Sequence, residues 1–183
     1  MSEQLVIQHC SPTLAGIKTG NLFSCAYKNK KELYTSVREI NRKLGPKGIR
    51  VLPLRYSQKR ALIYVYRPDI LGKDLSRNEA AELLKQAGYE SNSQSYCITE
   101  LARRLRSQRE FPHEVGLFLS YPPEDVRAFI EKKGAECKCV GCWKVYGDEK
   151  EAQRIFHSYK ACTDQFCQQW RSGASIEELT AAI

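Results

Sequence analysis

No stretch of this 183-residue chain approaches the roughly 18 consecutive apolar residues that a membrane-crossing helix needs, which excludes a helical span. The first residues, Met1-Ser2-Glu3-Gln4-Leu5, have neither a basic start nor a signal-like apolar stretch, so a cytoplasmic location with no membrane partner is expected. The glycine spacing of a Walker loop followed by Lys-Ser/Thr is absent, and so are the motifs of RNA-recognition modules. There is no internal repeat, linker or low-complexity tract. Histidine is scarce, with residues 9, 113 and 157 alone.

What is present describes an ordinary globular chain, 42% hydrophobic and 27% charged, long enough to bury a core and read as a single domain over residues 1–183. Eight cysteines stand at positions 10, 25, 97, 137, 139, 142, 162 and 167. In a reducing cytoplasm they are read as buried thiols, metal ligands or redox groups ahead of disulfides. Charge is uneven: residues 28–67 hold twelve Lys/Arg against two acids, a net of +10 within a chain of net +8, which leaves −2 elsewhere. Such a face attracts nucleic acid, an acidic protein or an anionic metabolite, or is simply solvated.

Local patterns predict an α/β fold, with α+β as the variant: one compact domain built on a small mixed sheet, a hairpin and a C-terminal strand-helix-strand-helix unit. Leu5, Val6 and Ile7 read as a short strand entering a loop from His9 to Gly20. Leu33, Val37, Ile40 and Leu44 recur at helical spacing before Gly45-Pro46. Residues 49–56 and 60–66 are rich in β-formers and predict an antiparallel hairpin, Pro53 placing the first strand at an edge. A capping box at Ser76 to Glu79 predicts one helix, and Ile98, Leu101, Ala102 and Leu105 another. Residues 116–121 read as a buried strand. Pro122-Pro123-Glu124-Asp125 opens a helix carrying Val126, Phe129 and Ile130 inward. Residues 143–146 read as a strand, followed by a long helix capped by Asp148 and a short one capped by Ser175 and Glu178. That order implies a right-handed crossover onto a parallel strand pair.

Two polar knots carry the chemistry. The first runs from His9 and Cys10 through Thr13, Gly16 and Lys18 to Thr19 and Gly20, putting a thiol, an imidazole, hydroxyls and an ammonium beside glycines that suit a tight turn or an anion cradle. The second is Phe111-Pro112-His113-Glu114, just before the apolar run from Val115 to Leu119. A composite site follows, with Cys10 as nucleophile or soft ligand, His113 as acid/base, Glu114 as its orienter, and His9, Thr13, Gly16, Lys18 and Thr19 around an anionic ligand. Cys137, Cys139 and Cys142 offer three thiols within six residues, a candidate zinc or iron–sulfur site lacking a local fourth ligand. Tyr56, Tyr64 and Tyr66 interleave with basic residues on the hairpin, as on some RNA-binding sheets.

The first knot, the segment from Phe111 to Leu119, Tyr121-Pro122-Pro123-Glu124-Asp125-Val126, and Trp143-Lys144-Val145-Tyr146-Gly147-Asp148 together resemble domain of unknown function family 3793 across nearly the whole chain. The resemblance implies a single-domain cytoplasmic protein of anaerobic, largely clostridial bacteria, and no activity. The leading expectation is a small-molecule-binding protein, or a thiol-dependent enzyme, acting on an anionic metabolite. A metal- or redox-responsive cysteine cluster and a nucleic-acid-binding protein using the basic hairpin are the alternatives.

Overall fold

The hairpin expected around residue 58 forms the centre of the molecule. A computed structural model of the chain describes residues 1–107 and 110–182. Strands β2 (Arg50–Ser57) and β3 (Arg60–Tyr66) pair antiparallel, and β1 (Gly20–Ala26) pairs antiparallel on the other side of β3, so the sheet order is β1-β3-β2. Pro53, without an N–H to donate, lies in the edge strand β2 as expected, beside a bulge at Leu54 where the register shifts.

Side chains alternate across β3, and both faces are covered. Ala61, Ile63 and Val65 meet helices α1 (Glu3–Leu14), α2 (Lys30–Leu44) and α8 (Ile176–Leu179), while Tyr64 and Tyr66 meet α3 (Pro68–Leu75), α4 (Asn78–Gln86) and α5 (Gln94–Ser107). The fold is one compact mixed α/β domain in which helices sandwich an antiparallel sheet. The sheet is therefore not mixed, and no crossover onto a parallel strand forms among the described residues. The hairpin tyrosines are packing groups: Tyr64 and Tyr66 are buried and stacked at 4.7 Å, and Tyr56 lies against Tyr27 and Tyr34. Neither sheet face offers an open aromatic platform.

Residues 5–7 and 9–14 correct the expected strand and loop, because they belong to α1. Ser2 caps that helix by accepting from the Leu5 amide, and Val6, Ile7, Cys10 and Leu14 recur on its buried side. Its last turn is buried all round, since Arg67 reaches into it. The Arg67 guanidinium is fully buried and donates to the carbonyls of Thr13 (2.7 Å), Leu14 (2.6 Å), Lys47 (3.0 Å) and Ala181 (2.8 Å). One side chain thus ties the end of α1, the turn after α2 and the C-terminal segment to the end of β3.

The apolar run expected as a strand is a 3-10 helix, His113–Leu119, wedged between α3, α4 and α6 (Pro123–Glu131) and ended by Ser120 at φ 61°. Within α6, Val126 is buried as expected but Ile130 is exposed. The Ser76 capping box does not form: Arg77 precedes α4, and the Ser76 hydroxyl donates back to Gly72. The expected strand at 143–146 shrinks to Lys144–Val145 (β5), paired antiparallel with Cys139–Val140 (β4). Helix α7 (Glu149–Arg171) then runs back along α1, capped by Asp148, and Ser175 with Glu178 forms the capping box of α8 as expected.

Candidate functional site

The two polar knots converge, but through different residues from those expected. The turn between α1 and β1 holds Gly16 at φ 81°, and its far end is tied to the segment after the 3-10 helix: the Thr19 amide donates to Ser120 Oγ at 2.7 Å. The Thr19 hydroxyl donates to Asp74 on α3, and the Thr19 carbonyl accepts from Arg67. Gly20 lets this junction close, because a Cβ there would sit 2.6 Å from the Tyr64 ring and 2.8 Å from the Phe118 carbonyl that Tyr64 hydrogen-bonds.

Lys18 sits at the centre of the junction. It is only 6% exposed, and its ammonium lies 5.6 Å from the Tyr121 ring centroid and 5.3 Å from that of Tyr159. Among the described residues no carboxylate and no hydrogen-bond acceptor engages its Nζ. It lines a cleft of about 460 Å3 with Asp74, Arg77, Glu79, Ser120, Tyr121 and Glu124, so three carboxylates share the cleft with the two cations. Burial holds the Lys18 amine below its ordinary range, opposed by Cys142 and then Cys10. Both thiols are themselves pushed up by burial, so at neutral pH they carry no charge that would hold an ammonium in place. Burial also pushes Tyr121 and Tyr159 up to about 12, Cys142 adding to both.

The remaining expected site residues are dispersed. Cys10 is fully buried in the core beneath the sheet, where a thiol stays protonated, and it lines neither this cleft nor the groove that contains His113. His113 rests its ring 4.9 Å from that of Phe129, in a mostly apolar groove of about 410 Å3 that also contains Phe111, Trp143 and Lys144. Glu114 points elsewhere: it accepts from Tyr89 at 3.2 Å and Arg104 at 3.4 Å, joining the 3-10 helix to α5. It makes no hydrogen bond to His113, so the orienting role has no geometric basis. His9 is exposed and stacks on Phe23, and the Thr13 hydroxyl donates to Asn21.

The cysteine cluster divides between two neighbourhoods. Cys139 feels Glu149 and Cys137, whereas Cys142, the most exposed of the three, faces Lys18 and the two tyrosines. Among the described residues no group of three His, Cys, Asp or Glu side chains is placed to hold a metal ion. The hairpin that carries Cys142 is fixed by Asp125, which accepts from the Trp143 indole and the Tyr146 and Gly147 amides, each at 2.7 Å.

Reading the sequence missed Asp74, Arg77, Tyr121 and Tyr159. Pro68 at the first turn of α3 was the available signal for a helix carrying Asp74. Tyr159 is one of the buried residues of α7, and nothing local in the sequence marks it as facing Lys18. Among the described residues no helix is long and apolar enough to cross a membrane. No curated protein and no solved structure matches the chain. The family model described as "Protein of unknown function (DUF3793)" matches residues 6–180, nearly the whole sequence, and the chain belongs to that family.

Proposed function

We propose that this protein binds a small molecule bearing an anionic group in the cleft around Lys18. The observation that carries the reading is a buried lysine at a cleft wall that, among the described residues, no carboxylate pairs: Asp74, Glu79 and Glu124 line the same cleft and none forms an ion pair with it. Lysines are almost never buried unless paired, because desolvating the ammonium costs several kcal/mol. A site that offsets this cost in the free protein only through two tyrosine rings is suited to a ligand that offsets the rest. Arg77, exposed and only loosely bridged to Asp74 at 3.4 Å, adds a permanent positive charge at the same cleft. The volume falls in the range of ordinary metabolite sites, and Thr19, Asp74 and Ser120 brace the turn that carries Lys18.

Calorimetric titration of the full chain with acetate, glyoxylate and inorganic phosphate tests this. At least one anion binds, and Lys18→Met and Arg77→Gln each weaken it by about tenfold, equivalent to about 1.4 kcal/mol. Binding that both substitutions leave unchanged assigns the anion to another surface, such as the basic segment 28–67, and overturns the reading.

A further inference from the structure

We propose that Lys18 is a nucleophilic amine that condenses with the carbonyl carbon of the cleft's ligand, making the substrate class a small aldehyde or ketone that carries a carboxylate or phosphate. The inference rests on the anion-binding reading above and names the chemistry of that site. Nζ adds to the carbonyl to give a carbinolamine; the former carbonyl oxygen then leaves as water, taking the protons released by nitrogen. Amine and carbonyl become imine and water, with no oxidant or reductant required.

Three features of the cleft point to an amine in place of a fixed cation. The first is enclosure: Lys18 lies against the Tyr121 and Tyr159 rings, and among the described residues no carboxylate forms an ion pair with it. Burial favours the neutral form, which alone has the lone pair that attacks. The second is a supply of proton donors. The phenols of Tyr121 and Tyr159, pushed up to about 12, remain protonated at neutral pH, and neither hydroxyl is engaged in a hydrogen bond among the described residues. Tyr121, which lines the cleft, is assigned the proton donation that assists departure of the carbinolamine oxygen. The third is division of labour: the Arg77 guanidinium lines the same cleft, so the ligand's anionic group has a partner other than the nucleophile.

The test is reductive trapping on the folded, full-length protein. Glyoxylate, an anionic aldehyde, is added with sodium borohydride, and the carboxymethylated lysines are mapped by peptide mass spectrometry. Lys18 is modified faster than any other lysine, since burial raises its neutral fraction above that of the exposed amines. Excess acetate, which carries the anion without the aldehyde, slows that labelling. Lys18→Arg, which keeps a cation but cannot form the imine, loses the fast-labelled site, and wild-type mapping is independent of how that variant folds. Modification spread evenly over exposed lysines with Lys18 spared overturns the imine. If acetate binding still depends on Lys18 and Arg77 in that case, the anion-binding reading survives alone. If no anion binds the cleft, both fall.

Discussion

Replacing Lys18 by methionine should make the protein more stable, because the substitution keeps an unbranched chain of similar volume while removing a buried amine. Taking an ammonium out of water costs several kcal/mol, and the two tyrosine rings at 5.3 and 5.6 Å return only about 0.5–2 kcal/mol. The net gain expected at neutral pH is about 1–3 kcal/mol, and each kcal/mol raises the melting temperature of a domain this size by about 2–4 °C. The pH dependence has a definite sign. In the unfolded chain Lys18 titrates at its ordinary 10.5, and in the folded protein burial lowers it. Between the lowered value and 10.5 the unfolded chain holds a proton that the folded chain has released, so stability rises with pH across that window. Below the window both states are protonated and the full cost of burial is present. Urea titrations of wild type and Lys18→Met from neutral to alkaline pH therefore converge as pH rises, since tyrosines and cysteines titrating in the same range are common to both. A variant destabilised by more than about 1 kcal/mol at neutral pH would refute the reasoning, because it would mean that the ammonium is held by favourable contacts.

Further outcomes follow from the same contacts. Arg67→Met strips the donor from the Lys47 and Ala181 carbonyls and weakens the bonding at Thr13 and Leu14, and urea denaturation should show a loss of about 3 kcal/mol or more; a loss below about 1 would mean that water replaces the guanidinium. Asp125→Asn removes the charge that three donors share and, with its oxygen kept on the two backbone N–H groups, leaves an NH2 facing the Trp143 indole N–H, with an expected cost of about 2–4 kcal/mol, read as a lower urea midpoint by tryptophan fluorescence; an unchanged midpoint contradicts the assigned lock. Native-state alkylation with iodoacetamide should spare Cys10 and Cys25 while modifying Cys137, and rapid labelling of Cys10 would return it to the list of accessible nucleophiles.

Helix α2 could be read in the sequence because it keeps one wet face, alternating Leu33, Val37, Ile40 and Leu44 with exposed charge. The hairpin of β2 and β3, covered on both faces, was legible instead from its β-formers and the polar turn between them. The segments misread are those buried on all sides. Leu5 to Ile7 in α1 and Val115 to Leu119 in the 3-10 helix are short runs of apolar or small residues, and periodicity cannot separate a short buried helix from a strand. The site was half legible for a related reason. Composition marks the turn with Lys18 and Thr19, but Asp74, Tyr121 and Tyr159 reach it from three distant elements, and only the packing of α7 against α1 brings the last of them there. Cys10 and His113 looked chemical as residue types, yet burial in one case and an apolar neighbour in the other decide what each group does.

The most direct measurement is NMR of the full-length protein, isotopically labelled at the lysine side chains and the backbone amides and titrated with acetate. The Lys18 Cε resonance and the amides of Thr19, Ser120 and Tyr121 should shift together along one saturating curve that is absent from Lys18→Met. Shifts confined to residues 28–67, or an acetate response that spares Lys18, would contradict the assignment of the cleft as the binding site.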